Sequence, residues 1–584
     1  MPETLLPDPK KSAIDEADTS RLYGPSPFPA SATISPLFIT MGSVSKVTAD
    51  ESVFQQTITE LDGKSEVRVD TIPSESSLKG PGLLDLWRNK RVMAWCLVIY
   101  ILPVNFGFEA GSTGNLIANP MFLARFGQQL PGGMIEIKAR DQQILNAALI
   151  CGLFIASVAS TWVSDLWGRK RTIAVASVIC IAGIFVQGFG DSMMVIFGGK
   201  FVSAVGFGLA HVIGPVYVAE IAPDKLRGIC LTLVNAMIVI GSWVCALVAY
   251  GVSHMTTDWS WRSLLLSQLA FPCCMVPIAL FILPESPSWL VIHGYRERAA
   301  YSYRRFNGPQ FDTEKALVLL EAAIEKEKEL EKEQATFMDC FRGCNRRRTI
   351  IVIMTFLSQQ FSGSGFVAGY LPYFFTIAGV ANPIGIAQIS YSIQLLGNIA
   401  SWFVVDWVGR RVLAVYGMFV MTFTLLIIGG LGTIQNNKSA LTAAIAFMSI
   451  WGFLYQLTLG AVAYAIGGET PAARVRQKTY SINFICTTAS LCLVSQITPL
   501  LINPSNANLG AKVAFVFFGL SAPLCVYMFF CLPEMKGRSY LELEEMFQKK
   551  IPARQFKHYK TEVKIVTAEE GEKVVGVVHD EGTV

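Results

Sequence analysis

Apolar blocks long enough to cross a bilayer are the feature that most constrains what this chain can fold into. A helix needs roughly 20 apolar residues to span the hydrocarbon core. About twelve such blocks, in two groups of six, begin near Val92, Ile144, Thr172, Met193, Ile229 and Ser263, and then near Thr349, Ala387, Val412, Ala440, Tyr480 and Lys512. The sequence therefore predicts an all-α membrane protein with two six-helix lobes.

The composition excludes several other classes of protein. Only 16% of the 584 residues are charged, whereas soluble domains carry about 25%. The net charge of +4 is too small and too dispersed for a nucleic-acid-binding face. Because the 13 cysteines lack metal or disulfide spacing and no phosphate loop or nucleophile motif occurs, we expect no enzyme, no metal site and no cofactor.

The pattern of polar and apolar segments predicts five regions. Residues 1–90 are polar and rich in Ser, Thr and Pro, which is typical of a disordered tail. The first lobe is predicted at 91–283, a charged helical linker at 284–348, and the second lobe at 349–532. Residues 533–584 form the predicted C-terminal tail.

Basic residues in alternate short loops predict the orientation of the lobes. These loops carry Arg169, Lys170 and Arg171, then Lys225 and Arg227, then Arg410 and Arg411, and finally Arg474, Arg476 and Lys478. Short loops rich in Lys and Arg stay in the cytosol. We therefore expect these loops, the linker and both tails to be cytosolic.

A repeated motif relates the two halves of the chain. DLWGRKR at 165–171 follows the second span, and DWVGRR at 406–411 follows the eighth. Duplicated halves around a central site are the design of alternating-access carriers. The same residues predict charged gates, although the bases could serve orientation alone. The predicted gate residues are Asp165, Arg169, Arg171, Glu220 and Arg227 in the first half, and Asp406, Arg410, Glu469 and Arg474 in the second.

Three further motifs carry a resemblance to a known family. They are PESPSWL at 284–290, QQFSG at 359–363 and PEMKGRSY at 533–540. The chain resembles the sugar porter family of the major facilitator superfamily over about 87–556. YFF at 373–375 and IPARQF at 551–556 are similar to the fungal maltose/α-glucoside permeases. That resemblance implies a proton symporter of the plasma membrane with the major facilitator fold.

Two charged residues inside apolar spans are candidates for proton coupling. Glu109 lies ~26 Å along the first span and Lys200 ~10 Å along the fourth, at a rise of ~1.5 Å per residue. Because the two spans run in opposite directions, both residues fall at similar depth. The family commonly has Asp and Arg at these positions, so the resemblance implies a coupling pair. A structural ion pair and facilitated diffusion stay open.

The resemblance also implies a sugar-binding site. Its predicted residues are Phe106, Phe108, Asn235, Gln359, Gln360, Tyr370 and Tyr464. The family's Gly-Ile-Asn after the paired glutamines is Gly363-Ser364-Gly365 here, so one amide is missing. His211 could contact substrate or protons, or pack between helices.

These observations predict a monomeric secondary carrier of a sugar-like solute, coupled to protons and embedded in membrane lipid. An α-glucoside, another disaccharide or a hexose fits the resemblance. A carrier of a non-sugar metabolite and a nutrient sensor without transport are the two alternatives.

Overall fold

The computed structural model describes residues 89–559 except 132, 134, 333–335, 381, 435, 436, 537 and 539. The predicted N-terminal tail lies outside the described residues except for 89 and 90, and so does the end of the C-terminal tail, 560–584. All described residues belong to one unit, Ile72–Val584.

The first half consists of helices joined by short turns and one small hairpin. Its elements are α1 (Lys90–Ile99), α2 (Ile101–Ala118), α3 (Pro120–Phe126), β1 (Gln128–Gln129), β2 (Ile135–Glu136), α4 (Ala139–Trp167), α5 (Arg169–Gly188), α6 (Met193–Ile221), α7 (Asp224–Val252), α8 (Trp259–Ser267) and α9 (Ala270–Pro277), which a π-helical segment (Ile278–Ile282) extends. β1 and β2 pair antiparallel. The end of the molecule that carries them is called the hairpin end below.

Short helices of the predicted linker separate this half from the next. They are α10 (Pro287–Ile292), α11 (Arg296–Asn307), α12 (Thr313–Lys332) and a 3₁₀ turn (Phe337–Phe341). Leu290, Ala299 and Leu317 form a small apolar cluster that holds α10, α11 and α12 together.

The second half repeats the pattern of long helices. Its elements are α13 (Gly343–Gln359), a π-helical segment (Gln360–Gly369), α14 (Leu371–Ile377), α15 (Pro383–Val408), α16 (Arg410–Leu431), α17 (Lys438–Leu457), α18 (Leu459–Glu469), α19 (Arg476–Ile502), α20 (Val513–Cys531) and α21 (Tyr540–Gln548), with 3₁₀ turns at Ala473–Val475, Gly510–Lys512 and Ala553–Gln555.

Eleven helical stretches of the described chain are long and apolar enough to cross a membrane. The protein is therefore a multi-pass, all-α membrane protein, as the apolar blocks predict. The eighth predicted block corresponds to α15, which has 26 residues but is not among the eleven. Its polar side chains Gln394 and Asn398 are only 4% and 1% exposed, because α15 packs against α7 and α17. The polar side chains of α15 therefore point into the protein.

The repeated glycine-arginine motif forms the same capped turn in each half. In the first half, Gly168 has φ 83°, a conformation that favours glycine. A Cβ at this position would lie 2.4 Å from Glu285 Oε2. Glu285 Oε1 accepts hydrogen bonds from the backbone amides of Arg169 at 2.9 Å, Lys170 at 3.1 Å and Ser286 at 3.0 Å. Glu285 therefore caps the start of α5.

Glu534 has the same role in the second half. Gly409 has φ 107°, and Glu534 Oε1 accepts from the backbone amides of Arg410, Met535 and Lys536, each at 3.1 Å. Free amides at a helix start attract a carboxylate. The turn that begins α16 is therefore the structural repeat of the turn that begins α5.

We expect Glu285→Ala to lower the free energy of unfolding by about 1–3 kcal/mol, since three amides lose their acceptor. Burial raises the pKa of Glu285, although the backbone amides and Arg169 lower it. Because burial disfavours the charged carboxylate, we expect the neutral Glu285→Gln to cost less than the alanine variant. Thermal unfolding of the purified protein measures both. Glu297→Ala, at an exposed position of α11, is the control. Equal loss in the Ala variants of Glu285 and Glu297 would contradict the capping role.

Candidate functional site

The two charged residues predicted inside the spans form a buried ion pair. Glu109 on α2 and Lys200 on α6 are both 0% exposed. Lys200 Nζ donates a hydrogen bond to Glu109 Oε1 and a second, at 3.0 Å, to Ser112 Oγ. Glu109 Oε2 has no hydrogen-bond partner within the described chain. The structure therefore brings together the acid and the base that depth along the helices predicted to face each other.

Burial makes the charge states of these two groups depend on each other. Removing one partner of a buried ion pair typically costs about 3–5 kcal/mol, because the other charge stays uncompensated. Each charge of this pair is therefore compensated by the other inside the protein.

Two spans of the second half are broken next to each other. In the seventh, α13 gives way to the π-helical segment, where Gly363 has φ 98°. In the tenth, Thr458 separates α17 from α18 with φ −114° and ψ −95°. Gln359 Nε2 donates to Leu459 O at 3.1 Å and to Gly460 O at 3.4 Å. Gln359, predicted to bind sugar, therefore joins the two breaks in this conformation. Broken helices of this kind surround substrate sites in carriers.

The other predicted polar ligands stay more accessible. Gln360 and Asn235 are both half-buried. Tyr464 on α18 is 56% exposed, and its ring lies edge-on to Phe356 with centroids 5.4 Å apart. These three side chains are therefore less enclosed by protein than Gln359 in this conformation.

The two phenylalanines of the first span have different surroundings. Phe106 is half-buried and stacks on His211 with ring centroids 4.0 Å apart. Phe108 is 1% exposed and packs against Phe271 at 5.6 Å. Phe108 therefore belongs to the packed core in this conformation, rather than to an accessible wall. His211 packs between helices through its face.

A network of side chains closes the hairpin end between the two halves. We call it the hairpin-end interlock; it comprises Gln142, Asn146, Tyr370, Tyr373 and Asn503. Gln142 Nε2 donates to Tyr373 Oη at 2.9 Å and to Asn503 Oδ1 at 3.0 Å. Asn146 Nδ2 donates to Tyr370 Oη at 2.6 Å. Tyr370, predicted to bind sugar, thus joins the halves here.

Further hydrogen bonds surround the interlock. Gln143 Nε2 donates to Gln496 O at 2.8 Å, and Gln496 Nε2 returns a bond to Gln143 O at 3.1 Å. Glu136 on β2 is 0% exposed and accepts from Gln128 Nε2 at 2.7 Å and from the backbone amide of Ser505 at 3.3 Å. The hairpin of the first half is therefore tied to the second half as well.

The opposite end carries ion pairs that each lie within one half. We call it the charge-cluster end. Arg169 pairs with Glu220 at 3.0 Å and with Asp165 at 3.4 Å, and Arg410 pairs with Glu469 at 3.4 Å. The two clusters therefore repeat the same Arg–Glu pair, as the sequence motif predicts.

The remaining predicted gate residues are placed less centrally. Arg227 Nε donates to Ala219 O at 3.0 Å, which fixes the turn after α6. Arg171 and Arg474 are exposed. The side chain of Asp406 lies outside the described part of the structure. Within the described chain, no group of three His, Cys, Asp or Glu residues is arranged to hold a metal.

Sequence reasoning missed the capping glutamates and most of the interlock. Glu285 and Glu534 each lie in a family motif, so the motifs were the available signal for them. Gln142, Asn146 and Asn503 carry no such signal, because their partners are hundreds of residues away.

Known sugar transporters are similar to this chain in sequence. A family model described as sugar (and other) transporter matches residues 95–547. A general alpha-glucoside permease of Saccharomyces cerevisiae (strain CEN.PK113-7D) is 30% identical over 484 residues, covering 81% of this chain and 77% of the relative. The maltose permease MAL61 of Saccharomyces cerevisiae is 27% identical over 512 residues, covering 85% and 82%.

Solved structures show the same fold. The inward open conformation of the xylose transporter XylE from E. coli has a TM-score of 0.63 at 19% identity, covering 78% of this chain and 99% of that one. The predicted major facilitator architecture is confirmed by this likeness, and the resemblance to sugar porters by the family match. This chain therefore belongs to the sugar transporter family.

Proposed function

We propose that this protein is a proton-coupled carrier that moves an α-glucoside across the plasma membrane by alternating access. The observation that carries the proposal is the fully buried pair of Glu109 and Lys200. Ionisable residues inside a membrane protein are costly and usually mark a transport or proton pathway. The relatives that are named alpha-glucoside and maltose permeases support the choice of substrate.

In the proposed cycle, Glu109 takes a proton from water when its side of the protein opens. The neutral carboxyl no longer compensates Lys200, so the ammonium depends more on Ser112 Oγ. Gln360, Asn235 and Tyr464 offer amide and hydroxyl groups to the sugar. Substrate and proton are then released on the other side, where Glu109 returns its proton to water and pairs with Lys200 again.

The hairpin-end interlock supports the conformational part of this proposal. Its hydrogen bonds must break for the hairpin end to open, whereas the Arg–Glu pairs at the charge-cluster end lie within single halves. We place the charge-cluster end and both termini in the cytosol, in agreement with the basic loops. We further propose that the carrier acts as a monomer in the lipid bilayer.

A carrier of a non-sugar metabolite is the second candidate. Ser364 and Gly365 stand where sugar porters have Ile and Asn, and Thr487 and Thr488 replace an Asn-Trp pair. Without these Asn amides and the Trp indole, the site offers fewer hydrogen bonds to sugar hydroxyls. Competition by unlabelled solutes distinguishes this candidate from the first.

The test is uptake of labelled maltose and, separately, of labelled glucose, with external pH recorded, in cells that lack their own sugar carriers. We expect wild-type protein to take up maltose and to alkalinise the medium. The double variant Glu109→Gln/Lys200→Met keeps the buried site neutral, so it should fold and transport only down the sugar gradient. Its alkalinisation should fall at least about tenfold, as expected when an essential proton carrier is removed.

Glu109→Asp is the matched control, because it keeps a carboxyl and should retain alkalinisation. Alkalinisation that persists in the double variant would contradict coupling through Glu109. Absence of maltose and glucose uptake by surface-expressed protein would overturn the sugar assignment, and a metabolite screen would follow.

We expect Gln142→Leu to open the hairpin end more often, since two hydrogen bonds between the halves are lost. At about 1 kcal/mol for each bond, the ratio of open to closed molecules should rise roughly tenfold or more. Distances between spin labels at Arg140 and Asn506 measure this population. Attaching the labels through noncanonical amino acids leaves the 13 native cysteines in place.

Ser160→Ala is the control for this measurement. Ser160 Oγ donates only within α4, to Ser157 O at 2.8 Å, so its loss should leave the distance distribution unchanged. An unchanged distribution in Gln142→Leu would show that the interlock does not hold the hairpin end closed.

A further inference from the structure

Two neighbouring cavities lie beside the linker at the charge-cluster end. The larger has a volume of about 560 Å³ and is lined by Tyr301, Arg304, Arg305, Pro309 and Phe311. The smaller, of about 130 Å³, is lined by Asn89, Lys90, Arg91, Val92 and Asn307. Both meet the last turn of α11, one of them from the start of α1.

Gly308 and Arg91 lie where the two cavities meet. Gly308 has φ 108°, and a Cβ at this position would lie 2.0 Å from Arg91 Nη1. The guanidinium of Arg91 is therefore packed against the backbone of Gly308. Arg305 Nη1 donates to Tyr301 Oη at 3.3 Å, and its guanidinium lies 5.9 Å from the ring centroid of Trp95. Arg91 lines the smaller cavity and Arg305 the larger one; the two cavities together are called the basic pocket below.

The part of the chain that the structure describes offers no ion-pair partner to the four bases of the basic pocket. Within the described chain, none of Lys90, Arg91, Arg304 and Arg305 pairs with a carboxylate. By contrast, Arg296 on the same helix pairs with two carboxylates, Glu314 and Glu321. Arg304 and Arg305 also offset the negative end of α11, but that effect does not require a cavity.

The acidic and aromatic residues next to the basic pocket do not prevent an anion from binding there. Asp312, which follows the lining residue Phe311, is engaged at the start of α12, where its Oδ1 accepts from the backbone amide of Lys315 at 3.2 Å. Tyr301 and Phe311 are exposed at 62% and 38%. They form the apolar part of the pocket rim, next to the point where α1 begins its span.

We propose that this basic pocket binds a phosphate-bearing anion. Arginine guanidinium groups bind phosphate with paired hydrogen bonds, and clusters of Lys and Arg beside a span attract anionic lipid headgroups. Two sources have this chemistry: the headgroup of a phosphoinositide in the adjacent leaflet, and a soluble phosphate compound. Neither depends on the substrate or the proton coupling proposed above.

Occupancy of the pocket would act on the transport helices through Phe306. Phe306 is 1% exposed and packs edge-on against Trp95 of α1 at 5.8 Å and Tyr217 of α6 at 6.3 Å. Glu220 of the first charge cluster follows Tyr217 by three residues. An anion that joins α1 to α11 therefore holds the linker against the helices that carry the charge cluster.

The experiment measures binding to the purified full-length protein. The lipid probe is a phosphatidylcholine vesicle containing phosphatidylinositol 4-phosphate, and the soluble probe is inositol trisphosphate. We expect Arg91→Gln/Arg304→Gln to weaken binding of the effective probe at least about tenfold, since each base contributes near a charged surface. Arg298→Gln is the matched control, because Arg298 lies on α11 but does not line either cavity.

Binding of the vesicle alone, lost in the double variant, assigns the pocket to a lipid headgroup. Binding of inositol trisphosphate without binding of the vesicle, and with the same loss, assigns it to a soluble phosphate compound. Thermal unfolding without ligand checks that the double variant is folded, and Arg91→Lys/Arg304→Lys should restore part of the affinity. Equal affinity in the double variant and Arg298→Gln, or binding of neither probe by wild-type protein, would overturn the proposal.

Discussion

The hydrogen-bonded pair of Glu109 and Lys200 is the interaction on which the proposed transport cycle depends. Neither side chain is exposed, so each charge is compensated by the other rather than by water. In the proposed coupling, a proton at Glu109 would remove this compensation, and the ammonium of Lys200 would then depend on other partners. Ser112, one turn from Glu109, is already in contact with it. A proton-coupled carrier needs such a group, because binding and release of a proton must change the contacts between its helices.

The helices that hold the pair are positioned by a duplicated framework. Each half begins a long helix at a left-handed glycine, with a glutamate from the end of that half accepting the first amides. The breaks at Gly363 and Thr458 belong to the second half, and Gln359 joins them. The first half therefore carries the buried Glu109–Lys200 pair, whereas the second carries the two neighbouring helix breaks that Gln359 joins.

Part of this arrangement could be predicted from the sequence. The apolar blocks predicted the spans, and helical rise placed Glu109 and Lys200 at equal depth. The same reasoning could not separate Phe106 from Phe108, although residues two apart on a helix face different directions; only Phe106 stays partly accessible. The interlock between Gln142 and Asn503 spans 361 residues and follows no local pattern. The eighth span, by contrast, was predicted from the sequence and is present as α15, although its buried amide side chains make it less apolar than the other spans.

Difference infrared spectroscopy of the carboxyl C=O band in purified protein tests directly whether Glu109 carries the coupled proton. Spectra would be compared with and without maltose, at acidic and neutral pH, for wild-type protein and the double variant Glu109→Gln/Lys200→Met. If Glu109 carries the coupled proton, a band of protonated carboxyl appears with maltose in acid and is missing from the variant. A band of equal intensity in both proteins would show that another group carries the proton.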